Sequence, residues 1–151
     1  MSDAATSAFA ASFVGLYAAH HAADYLFQGD RMSERKSGWT EDFTDPQPGR
    51  HHHGWGANQL HAVTHTLTEL AVLGLMALVL DMPLPVVGVA VAVAWIHVTH
   101  SLIDRRWPVR MWMKHTGSAD FIDRGGMPLV DQAMHIAVGI FPAALAIGGW
   151  A

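Results

Sequence analysis

The sequence contains four pairs of side chains, drawn from His and Asp and spaced four residues apart, that could bind a metal ion or take part in catalysis. The pairs are His20–Asp24, His61–His65, His100–Asp104 and Asp131–His135. Residues four apart lie on the same face of an α-helix. Each pair therefore presents, in one direction, two side chains of the kind that bind divalent metal ions.

The types of side chain in these pairs limit which metal ions could bind. The sequence has no cysteine, and imidazole with carboxylate suits zinc, manganese or non-haem iron rather than copper(I). Eight ligands suffice for two ions; four suffice for one, with the others orienting ligands or acting in catalysis. We therefore predict a centre of one or two divalent ions, zinc first, with all eight residues as candidate ligands. Asp24 or Asp131, whichever does not bind metal, is the predicted catalytic base.

The pairs lie in four long apolar segments of the chain. We predict that these segments form helices over residues 8–28, 59–80, 85–104 and 128–150. Each is close to the 20 residues needed to cross about 30 Å of hydrocarbon. Polar loops over 29–58 and 105–127 and a tight turn over 81–84 join them. The prediction is an all-α protein, a four-helix transmembrane bundle of up-down topology, with residues 1–151 forming a single integral membrane domain.

All four pairs are expected at one depth of this bundle. The pairs on the first and third helices lie near the ends that enter the long loops, and the other two lie near the ends that leave them. Ionisable groups in hydrocarbon cost several kcal/mol each unless they are paired, metallated or hydrated. Four pairs at one level therefore indicate a built site.

Composition and charge exclude some classes of protein. Hydrophobic residues make up 51% and charged residues 15%, against about 25% charged in soluble domains. A soluble four-helix protein is the alternative, but residues 85–96 lack the polar face of a surface helix. A net charge of −4 argues against nucleic acid as a partner. The expected partners are membrane lipids, with a homo-oligomer as the alternative to a monomer.

The basic residues predict the orientation of the chain. All nine Lys and Arg residues lie in loops 29–58 and 105–127, which the positive-inside rule assigns to the cytoplasm. We expect a multi-pass protein of the plasma (inner) membrane with both termini outside. Arg105 and Arg106, where the third helix ends, are placed to meet a phosphate. The run 51–53, three His residues, is either a solvated loop or a segment that gathers metal.

Three motifs in chain order resemble those of an uncharacterised family. They are H-x-x-x-D-Y-x-x-Q from His20 to Gln28, H-x-x-x-D from His100 to Asp104, and D-Q-x-x-H from Asp131 to His135. The family consists of small bacterial and phage polytopic membrane proteins with about four helices and no assigned activity. It is loosely similar to small membrane-bound metal-dependent hydrolases, and that resemblance is an analogy of fold and ligands.

The function predicted from these observations is metal-dependent hydrolysis of a lipid or phosphate-containing substrate. A bound ion lowers the pKa of its water and polarises a phosphoryl or acyl oxygen. The alternatives are a metal-ion or proton transporter or binding protein, a di-iron oxygen-activating membrane enzyme, and a structural factor stabilised by the cluster. The few polar groups in the outer halves of the helices favour a one-sided site over a transport pathway.

Overall fold

A computed structural model describes residues 2–38 and 53–151, and this part of the chain contains seven helices and no strand. The helices are α1 (Asp3–Tyr25), α2 (Asp30–Lys36), α3 (Trp55–Leu80), α4 (Val86–Asp104), α5 (Trp107–His115), α6 (Ala119–Asp123) and α7 (Met127–Gly149). A π-helical turn over His135–Ile140 interrupts the regular hydrogen bonding of α7. The prediction of an all-α fold is confirmed.

The four long helices α1, α3, α4 and α7 form a ring in which neighbours run antiparallel. α1 and α4 each pack against both α3 and α7. On α1, Asp24 lies against His61 of α3, whereas Gly15, nine residues earlier, lies against Met76. The same reversal relates α4 to α3 and both α1 and α4 to α7. The predicted up-down order of the helices is therefore confirmed.

Three of these helices, α3, α4 and α7, are long and apolar enough to cross a membrane. The prediction of four such helices is wrong for α1. That helix is long enough, but it carries Asp3, Asp24, His20 and His21 within a segment of mostly small residues. Its polar content therefore lowers the hydropathy that a free-standing span requires. What remains is an all-helical bundle compatible with a multi-pass membrane protein.

Several helix boundaries differ from the predicted ones. α1 begins at Asp3 rather than at residue 8, because the Ser2 hydroxyl caps it by accepting a hydrogen bond from the Ala5 amide at 3.1 Å. The predicted loop 29–58 contains α2 and the first turn of α3, and loop 105–127 contains α5 and α6. His51 and His52 of the predicted histidine run lie outside the described residues.

The interior of the ring has two layers. Toward the tight turn it is apolar, with Leu16, Leu73, Ile96, Ile140 and Ile147 all buried in contact. Toward the long loops it is polar and holds the His and Asp pairs. A second apolar cluster joins the end of α4 to α5 and the start of α7. The fold thus positions the polar layer between a packed core and a helical cap.

Candidate metal centre

Seven of the eight predicted ligands are buried side by side where the four long helices approach the loops. They are His20, Asp24, His61, His65, His100, Asp104 and His135. The eighth, Asp131, lies at the edge, with 16% of its side chain exposed and its carboxylate 3.5 Å from Nδ1 of His135. The i,i+4 spacing therefore brought all four helices' polar pairs to one level, as predicted.

Asp24 is the centre of the first half of the cluster. Its Oδ1 lies 3.0 Å from Nε2 of His61 and 3.2 Å from Nε2 of His65, both on α3. Its Oδ2 accepts a hydrogen bond from Nε2 of Gln132 at 2.9 Å and lies 3.3 Å from Nε2 of His20. Three helices thus direct polar side chains at one carboxylate.

Asp104 is the centre of the second half. Its Oδ2 lies 3.1 Å from Nε2 of His100 and 3.4 Å from Nε2 of His61, and its Oδ1 lies 3.8 Å from Nε2 of His135. The two halves touch, because the rings of His65 and His100 have centroids 3.7 Å apart. All eight predicted residues therefore belong to one continuous polar layer.

Two sets of side chains in this layer could each hold a metal ion. Their ligand atoms lie within 4.8 Å of one another in the sets Asp24, His61, His65, His100 and His100, Asp104, His135. Ligand atoms around a tetrahedral ion with bonds of about 2.1 Å stand roughly 3.4 Å apart. Separations within the two sets include 3.0 Å for Asp24 and His61 and 3.1 and 3.8 Å from Asp104 to His100 and His135. Asp131 and His20 fall outside both sets.

The fit to a cation also follows from unpaired polar atoms. Among the described residues, Nε2 of His100, Nε2 of His135 and Oδ2 of Asp104 are buried without a hydrogen-bond partner. A buried polar atom left unpaired costs about 1–3 kcal/mol. Nε2 of His100 and Oδ2 of Asp104 are only 3.1 Å apart, but the ring is not oriented for a regular hydrogen bond between them. Such an orientation is the one expected of two metal ligands that both point at an ion rather than at each other.

Lys36 is a member of the cluster that the sequence did not indicate. Its Nζ lies 2.9 Å from Oδ1 of Asp104, 3.0 Å from Nε2 of His61 and 3.6 Å from Oδ1 of Asp24. The residue is only 7% exposed. It comes from α2, inside a segment predicted to be a loop, where no periodicity marks an inward position.

Arg105 has a different place from the one predicted. Its side chain is fully buried; Nη1 donates to the carbonyl of Lys36 at 3.1 Å and Nη2 donates to the carbonyl of His53 at 2.8 Å. The guanidinium also lies over the ring of Trp55, 4.3 Å from its centroid. Gly38, with φ +57°, packs directly against this guanidinium. Arg105 therefore fixes the end of α2 to the start of α3, and the prediction that it meets a phosphate is not supported.

A cavity of about 970 Å³ reaches the cluster from the loop face of the bundle. Asp24, Asp104 and Lys36 line its inner part, and Asp131 forms part of its wall. Arg106 also lines it and is exposed, with the backbone at φ +58°. Positive φ is uncommon outside glycine and is typical of functional positions. A molecule entering from the loop side would reach the carboxylates past basic groups.

Three polar residues, Glu69, His97 and His21, lie near the cluster but are not part of it. Glu69 is fully buried, and its Oε1 lies 4.0 Å from Nδ1 of His65, with no hydrogen bond to either carboxylate oxygen among the described residues. His97 lies outside the cluster, with its Nδ1 3.2 Å from the hydroxyl of Thr66. His21, adjacent to the buried His20, is turned outward and bonds to a backbone carbonyl of its own helix.

A family model described as "Protein of unknown function (DUF3307)" matches residues 12–147. The chain belongs to this family. The match covers all of α3 and α4, most of α1 and α7 and every residue of the cluster, so the predicted membership of an uncharacterised family is confirmed. The family description assigns no reaction, and the predicted similarity to hydrolases is not shown. No curated protein and no solved structure matches the chain.

Proposed function

We propose that this protein is a multi-pass membrane metalloprotein that hydrolyses a lipid or phosphate-containing substrate at its His/Asp centre. The observation that carries the proposal is the pair of ligand sets with unpaired buried atoms at the inner end of a large cavity. A structural cluster would need neither the unpaired ligand atoms nor an opening to solution.

The proposed orientation places the cluster near the cytoplasmic face of the plasma membrane. All the basic residues lie in the two long loops, and those that the structure describes lie at the end of the bundle where the cluster is. Gly148 of α7 packs against Ala5 and Phe9 of α1, so the two termini share the opposite end. This arrangement supports loops 29–58 and 105–127 inside and both termini outside.

The side chains around the cavity would have different roles in hydrolysis. A bound divalent ion would supply an activated water and polarise the phosphoryl or acyl oxygen. Asp131 faces the cavity outside both ligand sets, so it is the better placed of the two predicted bases to accept a proton from that water. Arg106 would hold an anionic group of the substrate. Gln132 orients Asp24 by a hydrogen bond of 2.9 Å.

Metal content tests the centre. Detergent-purified wild-type protein is expected to carry one or two zinc, manganese or iron atoms per chain by inductively coupled plasma mass spectrometry. The double variant His100→Ala/His135→Ala is expected to lose them. The matched control is His21→Ala/His97→Ala, which removes two histidines outside the cluster and should keep the metal. Equal metal content in both double variants would refute the centre.

Turnover tests the reaction. Release of phosphate or fatty acid from a panel of phospholipids and phosphomonoesters is expected to require the metal-loaded protein. Asp131→Asn should retain the metal and lose turnover, because the residue lies outside both ligand sets. Turnover by Asp131→Asn at the wild-type rate would remove the assigned base.

A specific observation also favours a metal-ion or proton transporter. Glu69 and the hydroxyl of Ser12 are fully buried without hydrogen-bond partners among the described residues. Both lie on the side of the cluster that faces away from the long loops, and they extend polar groups into the apolar half. Metal uptake or proton flux by reconstituted vesicles, lost in Glu69→Leu, would favour this second function.

A further inference from the structure

Lys36 occupies the space between the two sets of ligand atoms, where its ammonium contacts members of both sets. Its Nζ contacts Oδ1 of Asp104 and Nε2 of His61 at hydrogen-bonding distance and lies 3.6 Å from Oδ1 of Asp24. Asp24 and His61 belong to one ligand set and Asp104 to the other. The ammonium therefore lies between the two halves of the centre.

The contact of Lys36 with His61 is incompatible with metal binding through the same nitrogen. The imidazole nitrogen of His61 has one lone pair, so accepting a hydrogen bond from the ammonium uses the lone pair that a metal–ligand bond requires; a carboxylate oxygen keeps a second one. A unit positive charge about 4 Å from a divalent ion also opposes its binding strongly where the dielectric is low. An ion bound through Nε2 of His61 therefore excludes the ammonium from its present contacts.

Only the side chain of Lys36 needs to move for an exchange. The carbonyl of Lys36 is held by Arg105 at 3.1 Å, so the end of α2 is fixed. The side chain itself is a flexible four-carbon chain, and it already lines the cavity together with Arg106. Rotation away from Asp104 would bring the ammonium into the cavity.

We propose that Lys36 is an exchangeable cation: a divalent ion displaces it from between Asp24, His61 and Asp104, and the freed ammonium then binds an oxyanion in the cavity. This inference rests on the proposed metal centre. Before metal enters, Lys36 neutralises part of the charge of the two carboxylates and keeps the ligands assembled. After metal enters, Lys36 and Arg106 provide two positive groups for a phosphate or carboxylate.

Zinc affinity measures the competition directly. Lys36→Met is expected to bind Zn²⁺ about tenfold tighter than the wild type, or more, because no cation has to leave. Lys36→Arg keeps the charge and should not gain affinity. Lys114→Met, which alters the other lysine of the chain at an exposed site, is the matched control. Zinc binding by Lys36→Met that is no tighter than in the wild type would overturn the exchange.

Amine acylation of the wild-type protein tests the movement without a variant. The sequence contains two lysines, Lys36 and Lys114, so Lys114 serves as an internal standard in peptide mass spectrometry. Zn²⁺ is expected to increase acylation of Lys36 relative to Lys114, and inorganic phosphate added with Zn²⁺ should reduce it again. Acylation unchanged by Zn²⁺ would refute the displacement, and acylation insensitive to phosphate would refute the oxyanion site.

The two proposals fail in different ways. Wild-type protein that binds no zinc would refute the metal centre and the exchange together. Wild-type protein that binds zinc while Lys36 stays unreactive would refute the exchange alone. If Lys36→Met proves unfolded by circular dichroism and gel filtration, the acylation experiment on the wild type still decides.

Discussion

Replacement of Arg105 by Met should release α2 from the bundle. Arg105 is fully buried, and it joins the carbonyls of Lys36 and His53, at 3.1 and 2.8 Å, to the ring of Trp55. Met fills much of the same space but donates no hydrogen bond. The carbonyls of Lys36 and His53 would therefore lose their hydrogen-bond donors.

The size of the effect follows from these contacts. A hydrogen bond to a charged group contributes about 1.5–3 kcal/mol, and a cation–π contact to the partly exposed Trp55 contributes about 0.5–1 kcal/mol. The carbonyls regain hydrogen bonds to water once α2 detaches, so we take about 4 kcal/mol as the loss in the free energy of local opening. At about 1.4 kcal/mol per factor of ten, the opening constant of α2 rises roughly a thousandfold.

Hydrogen–deuterium exchange of the α2 amides measures this constant. In Arg105→Met the exchange rate is expected to rise by about a thousandfold or to reach the rate of an unprotected amide, because exchange reports local opening. Amides in the middle of α3 and α4 should keep their protection. Arg105→Lys, which keeps the charge but loses the two-donor geometry, should give an intermediate rate.

Arg106→Met is the matched control, since the neighbouring side chain is exposed and lines the cavity. It should leave exchange in α2 unchanged and reduce binding of an anionic substrate. An α2 that exchanges at the wild-type rate in Arg105→Met would show that the guanidinium does not hold this helix. A similar rise in both variants would show that charge near the loop, rather than the buried contacts, stabilises it.

Three further predictions follow from other parts of the structure. Glu69→Gln should weaken Zn²⁺ binding about 10- to 100-fold in a competition titration, because a metal on Nε2 of His65 leaves the proton on Nδ1, and the Glu69 carboxylate, 4.0 Å away, would close to accept a hydrogen bond from it; unchanged affinity would exclude that role. Gly148→Leu should lower the resistance of the bundle to denaturing detergent by about 1–3 kcal/mol, since its side chain would meet Phe9, whereas Gly149→Leu faces open space and should not. Equal resistance would contradict the close packing of α1 on α7. Bound metal should be lost as the pH falls from about 7.5 to about 4, because protons compete for His and Asp ligands; metal content independent of pH would contradict ligation by these side chains.

The long helices and their polar pairs could be predicted from sequence because both are local properties. Twenty consecutive apolar residues specify a long helix by length and hydropathy alone, and positions i and i+4 share a face in any helix. Successive long helices that each cross the bundle run antiparallel, which is why His20 and Asp24, at the end of α1, meet His61 and His65, near the start of α3, at the same depth. The hydropathy of α1 was the exception, because its small and polar residues weaken the signal of a span.

Lys36, Arg105 and Asp131 could not be placed in this way. Lys36 and Arg105 lie where no apolar periodicity marks an inward face, so sequence supplies no sign that one ammonium enters the cluster and one guanidinium turns into the protein. Asp131 has the same i,i+4 spacing as the buried ligands, but it lies at the rim because α7 starts beside the cavity.

Sequence by itself determined which side chains share a helix face and at which end of each helix they lie, because helical geometry repeats regardless of context. The tertiary structure decided which of those side chains face one another, that α2 folds over the cluster, and that Lys36 rather than Arg105 reaches the carboxylates. These outcomes depend on contacts between residues far apart in the chain, such as the 2.9 Å pair of Lys36 and Asp104. Such contacts leave no periodic trace in sequence because each depends on how separate helices pack.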